Sequence, residues 1–79
     1  MKIEVLGTGC AKCKRLEENV RKALKDAKVQ AEVVKVEDLQ VIIDRGIMFT
    51  PALIIDGDEK AVGRVPSVDE IKKMITGGK

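Results

Sequence analysis

Two cysteines, Cys10 and Cys13, are the residues of this 79-residue chain best equipped for covalent chemistry. Ala11 and Lys12 separate them, and positions three apart on a helix share a face with Cβ atoms about 5–6 Å apart, so a small adjustment lets the sulfurs bond. A dithiol spaced in this way can open and close locally. It makes a poor staple, because closing a loop of about four residues is worth only roughly 2 kcal/mol before strain is counted. The thiolate is the reactive form, and Lys12, Lys14 and Arg15 beside a helix N-terminus favour negative charge at Cys10. The same cations also read as an ordinary solvated helix face, so an electrostatic role for Lys12 stays open. Thiolates also suit Cu(I). A closed zinc site would need four ligands, and two cysteines with no histidine leave it short unless two copies combine.

Length and composition bound the rest. The chain is expected to form one domain, 1–79, with a single modest core. Fifteen Lys and Arg against thirteen Asp and Glu leave a formal charge of +2 spread along the sequence, and Phe49 is the only aromatic residue. Neither a basic stripe nor a stacking platform is present, which argues against nucleic-acid binding. Met1 to Leu6 carries no long apolar run, and two cysteines without a signal peptide point to a reducing compartment. The expectation is a cytoplasmic monomer with no membrane segment and no required cofactor or metal.

The elements that must position the cysteines follow from periodicity. Lys2-Ile3-Glu4-Val5 alternates as a strand and stops at Gly7 and Gly9. From Cys13 onward, Leu16, Val20, Ala23, Leu24 and Ala27 mark one helix face, and Glu17 with Arg21 offers an i,i+4 pair. Cys13 falls in that buried stripe, whereas Cys10 sits at or just before the first turn. Ala31 to Val36 is β-branched and completes a right-handed crossover to a parallel strand. Leu39, Ile42 and Ile43 are spaced for a short helix covering a sheet face, begun by Asp38 and ended at Gly46. Pro51 precedes Ala52-Leu53-Ile54-Ile55, a continuous apolar run that should be a central strand buried on both sides. Asp56-Gly57 signals a hairpin, with Lys60 to Arg64 returning antiparallel and Gly63 near its end. Ser67-Val68-Asp69-Glu70 is a capping box opening a last helix that stops at Gly77-Gly78, and the tail 77–79 is expected to fray. The order is βαβαββα, an α/β fold with a four-stranded mixed sheet and helices on both faces.

This order, with a strand-to-helix CxxC and Thr50-Pro51 before a central strand, resembles the thioredoxin and glutaredoxin superfamily over nearly the whole chain. It is most similar to the very small prokaryotic thioredoxin-like proteins often called redox-active disulfide proteins. The matching motifs are Gly7-Thr8-Gly9-Cys10-Ala11-Lys12-Cys13, Thr50-Pro51-Ala52-Leu53, and Asp56-Gly57 through Gly63-Arg64-Val65. The resemblance implies a thiol-disulfide oxidoreductase without a cofactor, with Cys10 as attacking thiol and Cys13 as resolving thiol. It further implies Pro51 as a cis-proline facing the sulfurs, with Thr50 offering its backbone to an extended substrate segment. Protein disulfides would be the substrates, and a reductase or a thiol the electron donor. The chain differs from the better-known relatives in lacking a Trp before the first cysteine and in carrying Ala11-Lys12 where thioredoxin has Gly-Pro.

A CxxC between a first strand and an amphipathic helix also resembles small copper-chaperone domains, in which the same two thiolates would hold Cu(I). Thr8 in place of a Met, a helix after the second strand and a terminal helix count against that alternative. Met48 and Phe49 could line a substrate groove, but the commoner fate of apolar side chains in a small protein is the core, and neither is named as a site residue.

Overall fold

The computed structural model describes residues 1–9 and 11–76. Seven elements follow in the order β1 (Lys2–Leu6), α1 (Ala11–Ala27), β2 (Glu32–Val36), α2 (Leu39–Asp44), β3 (Ala52–Ile55), β4 (Asp58–Val62) and α3 (Val68–Ile75). They form one mixed sheet in the order β2-β1-β3-β4. β1 runs parallel to β2 and antiparallel to β3, and β4 runs antiparallel to β3. Among the described residues, no helix is long and apolar enough to cross a membrane.

Side-chain alternation on β1 sends its residues into two separate cores. Ile3 and Val5 pack under α1 and α3 with Leu16, Val20, Leu53, Ile55 and Ile71, whereas Leu6 joins Ile42, Ile47, Ala52 and Ile54 on the α2 side. Every residue of β3 is buried, as its uninterrupted apolar run requires. α1 and α3 lie together, tied also by Asn19, whose side-chain amide donates to the Pro66 carbonyl at 3.0 Å.

Local chemistry sets the boundaries. α1 closes through a Schellman motif: the Val29 N–H donates to the Leu24 carbonyl at 3.0 Å and the Lys28 N–H to the Lys25 carbonyl at 3.2 Å. The left-handed position of that motif is held by Lys28, at φ 55. α2 closes the same way with a glycine, Gly46, at φ 77, and the Ile47 N–H reaching the Ile42 carbonyl. Ser67 and Glu70 form the reciprocal capping box that opens α3. Asp56 and Gly57 both have positive φ, the two-residue hairpin turn suited to the strand twist. Pairing therefore resumes at once, and β4 is Asp58–Val62 rather than the expected Lys60 to Arg64, with a register shift between Leu53 and Ile54. Likewise β2 begins at Glu32, leaving Ala31 outside the strand.

α2 departs further from expectation. Of its apolar residues only Ile42 is buried; Leu39 is 58 % exposed and Ile43 56 %. A six-residue helix presents a single inward position per turn, and the next inward residue, Ile47, lies beyond the helix end. Met48 and Phe49 are likewise not core residues but stand out at 86 % and 66 % exposure. The segment between Ile47 and Pro51, both buried, belongs to no helix or strand, and its three intervening residues are all exposed. The expected fraying of the tail 77–79 lies outside the described residues.

Candidate functional site

The strand registers bring one row of residues together just beyond the end of the ladder. Leu6 pairs with Val36 on one side and Ala52 on the other, and Ala52 pairs with Val62. One step further, Gly7 comes to lie between the end of β2 and Pro51, and Gly63 follows Pro51 across the sheet. Hydrogen bonds carry the row: the Gly7 N–H donates to the Val36 carbonyl at 2.9 Å, and the Gly63 N–H donates to the Pro51 carbonyl at 2.9 Å. The Thr50–Pro51 peptide bond is cis.

Cys13 sits on top of this row. It belongs to the inner stripe of α1 with Leu16 and Val20, and it is 6 % exposed. Its sulfur lies directly against Gly7: a methyl group at that position would overlap Cys13 Sγ, lie 3.1 Å from Cys13 Cβ and stand 3.9 Å from Pro51 Cα. Cys13 and Pro51 thus border the same point in space. Only the absence of a side chain at Gly7 lets the helix come this close to the strand. Gly63 has a comparable constraint, since at φ 75 any Cβ would be strained and would also meet Phe49 Cβ at 3.1 Å. The expected helix-start position of Cys10 lies outside the described residues. Thr50 is exposed beside buried Pro51.

The electrostatics at the start of α1 are one-sided. The helix has no acidic residue in its first turn, while Lys12, Lys14 and Arg15 are all exposed there. Cations at a helix N-terminus oppose the macrodipole, an arrangement that lowers the energy of an anion placed at that end. Behind Cys13 lies a cleft of about 10 Å³, room for about one water molecule, lined by Val5, Gly7, Gly9, Cys13, Lys14, Lys35 and Glu37. Lys35 bridges Glu37 at 3.3 Å and Glu17 at 3.5 Å. Those two carboxylates, Glu37 first, hold the Lys35 ammonium above its ordinary pKa and therefore charged. On the other side of the sheet's rim, Leu39, Ile42, Ile43, Ile47 and Met48 line an apolar groove that ends at Thr50.

Sequence reasoning missed Gly7 as a packing residue, reading it only as a turn. It also passed over Lys35 and Glu37, which look like ordinary charges on a strand; the alternation Val33, Lys35 places Lys35 on the α1 face and was the available signal.

A sheet of order β2-β1-β3-β4, with a cysteine-bearing helix leaving its first strand and a cis-proline heading its third, is a thioredoxin-like arrangement. The sequence matches the thioredoxin domain model over residues 1–76. A protein named thioredoxin from Methanothermobacter thermautotrophicus is 43% identical over 76 residues, covering 96% of this chain and 99% of the relative. Another so named, from Methanocaldococcus jannaschii, is 41% identical over 73 residues, 92% of this chain and 84% of the relative. The chain belongs to the thioredoxin family, whose chemistry is thiol-disulfide oxidoreduction.

Proposed function

We propose that the protein reduces or exchanges disulfides in partner proteins by cycling Cys10 and Cys13 between dithiol and disulfide. The Cys10 thiolate attacks one sulfur of the substrate disulfide, forming a mixed disulfide as the other substrate sulfur leaves as a thiolate. The Cys13 thiolate then attacks the Cys10 sulfur, closing the Cys10–Cys13 disulfide and expelling the second substrate thiolate. Two electrons pass to the substrate, and no cofactor takes part. A reductase or a thiol donor resets the dithiol by the reverse exchange. The chain would act as a monomeric single domain, 1–79, in a reducing compartment such as the cytoplasm.

The observation that carries this reading is the placement of Cys13, buried at the start of α1 against Gly7 and bordering the same point as Pro51, in a chain of this family. Substrate docking at Thr50 and Pro51 is supported by their place at the rim, where Thr50 is exposed and the apolar groove under Met48 ends. An extended substrate segment could pair with the Thr50 backbone and lay an apolar side chain in that groove.

The test is trapping. Cys13→Ser should accumulate a mixed disulfide through Cys10 with a protein disulfide substrate, and Cys10→Ser should not attack at all. Trapping only by Cys10→Ser would reverse the two roles. Tight stoichiometric Cu(I) binding by wild-type protein that turns over no disulfide would replace the reading altogether.

A further inference from the structure

Met48 stands out twice among the described residues: at 86 % it is the most exposed large apolar residue, and it lines the apolar groove that ends at Thr50. We propose that Met48 is a peroxide-sensitive modification site, whose oxidation to the sulfoxide makes the groove unfavourable for apolar substrate side chains and so slows exchange with protein disulfides. The inference rests on the reading of Thr50, Pro51 and the groove as the docking face.

Exposure singles out this methionine. A thioether is oxidised by direct approach of peroxide to its sulfur, so the most accessible sulfur reacts first. Met1 is 46 % exposed, and Met74 is partly buried against the core shared by α1 and α3. Met48 also lies in a segment outside every helix and strand, so a change at its side chain disturbs no element of the fold. The step needs only hydrogen peroxide. The thioether sulfur gives an electron pair to one peroxide oxygen, the O–O bond breaks, and the departing hydroxide takes the proton of the transferred oxygen and leaves as water. Sulfur is oxidised by two electrons and the peroxide reduced by two. Thiolates are stronger nucleophiles than a thioether, so in the dithiol form the cysteines react before Met48. Sulfoxide then accumulates when peroxide persists after the Cys10–Cys13 disulfide has closed.

The groove makes the new oxygen matter. It has a volume of about 410 Å³ and is walled by Leu39, Ile42, Ile43, Ile47 and Met48, with Thr50 at its end. A flexible, polarisable thioether suits such a wall, because it adapts to apolar side chains of different shapes. The sulfoxide is polar and accepts hydrogen bonds strongly, while Thr50 is the only residue lining the groove whose side chain carries a donor. An apolar substrate side chain entering the groove must therefore strip water from a group that the wall does little to satisfy. Cys13, in the inner stripe of α1 against Gly7, is left untouched, so exchange with a disulfide that places nothing in the groove keeps its rate.

The experiment separates docking from chemistry. The protein is taken to its Cys10–Cys13 disulfide, treated with hydrogen peroxide, freed of peroxide with catalase and mapped by peptide mass, then reduced and assayed. One oxygen should appear on Met48 before Met1 or Met74. Exchange is followed with a peptide disulfide carrying leucine beside the cysteine, the same peptide with serine there, and a small aromatic disulfide. The second-order rate constant for the leucine peptide should fall by roughly three- to tenfold, as expected when a polar group is covered in a groove still open to solvent, and the other two should keep theirs. Met48→Leu, compared with its own untreated sample, should lose nothing on peroxide treatment. Met48→Gln should show the selective loss without peroxide, and a methionine sulfoxide reductase should reverse the loss in the oxidised wild type. Oxygen arriving first on Met1 or Met74 overturns the proposal, as does a Met48 sulfoxide that exchanges with the leucine peptide as fast as untreated protein. An equal loss with all three disulfides that persists in Met48→Leu, or that comes with a lowered thermal midpoint, places the damage at the cysteines or in the fold and likewise overturns it. Untreated protein that exchanges with none of the three would instead refute the oxidoreductase reading, and the role of Met48 with it.

Discussion

Gly7 and Cys13 are packed so closely that the sulfur occupies the space a methyl group on the glycine would fill. Gly7→Ala must therefore displace either the start of α1 or the end of β1. Overpacking of this kind costs about 1–3 kcal/mol. The variant should unfold at lower urea concentration with an unchanged m-value and should reduce disulfides more slowly, since the thiol itself is the group pushed aside. Wild-type stability in Gly7→Ala would mean that the helix start yields freely.

Glu4 and Arg45 meet at 2.6 Å on the α2 side of the sheet, from the middle residue of β1 to the C-cap of α2. The Glu4 side chain is only 9% exposed, so removing its partner strands a carboxylate in a region that solvent barely reaches. Arg45→Met should lower stability by about 1–3 kcal/mol, and the double variant Glu4→Gln with Arg45→Met should recover part of that loss. Chemical denaturation of the four members of this cycle measures the coupling, and additive losses would show that the pair contributes nothing of its own.

Lys28 occupies the left-handed position that ends α1, at φ 55, where a Cβ is disfavoured. Lys28→Gly keeps both closing hydrogen bonds and relieves that cost, so it should stabilise the protein by about 0.5–1 kcal/mol. A shift of the thermal midpoint to higher temperature is the expected result; a fall would show that the lost lysine side chain or the added freedom of the unfolded chain outweighs the relief.

Glu17 accepts from Arg21 at 3.0 Å and from Lys35 at 3.5 Å. The Arg21 hydrogen bond is the main cause holding its carboxyl below the ordinary 4.5, burial opposes it, and Lys35 adds to the lowering. Because the folded value lies below the unfolded one, the unfolded chain takes up its proton first as pH falls. The contribution to stability is thus complete above the unfolded pKa and is lost as pH drops through the folded one. Glu70 is shifted in the same direction, chiefly by Arg64. Between about pH 6 and pH 3, Glu17→Gln should lose stability less steeply than wild type. Parallel curves in a pH series of urea titrations would count against a role for the Glu17 pairs.

Much of the fold was legible because local chemistry and tertiary context agree. Asp56-Gly57, Gly46 and the Ser67 to Glu70 box each need a particular residue type, and each marks its element where the structure has it. Cys13 was placed by helical register alone, while the cis bond at Pro51 was implied only by the family resemblance, since nothing in Thr50-Pro51 itself chooses an isomer. What escaped notice depends on long-range packing. Lys28 carries no sign of a left-handed cap. Glu4 alternates with apolar neighbours as a solvent-facing residue would, yet α2 covers that face and Arg45 meets it there. The outward positions of Leu39, Ile43, Met48 and Phe49 follow from how short α2 is and how the chain leaves it, which periodicity cannot state.

The first strand of the chain stands in the middle of the sheet, with Ile3 paired to Ile55 from far along the sequence. During synthesis β1, α1 and β2 emerge first and can assemble locally, but the antiparallel edge of β1 stays open until β3 is made. Until then Leu6 lacks Ala52 and Ile54 in its core, and Ile3 and Val5 lack Leu53 and Ile55 in theirs. Gly7 and Cys13 are available early; Pro51 and Gly63 arrive late. The point that Cys13, Gly7 and Pro51 share is therefore assembled by the last half of the chain closing on the first, so that a nascent chain carries its cysteines well before their surroundings are complete.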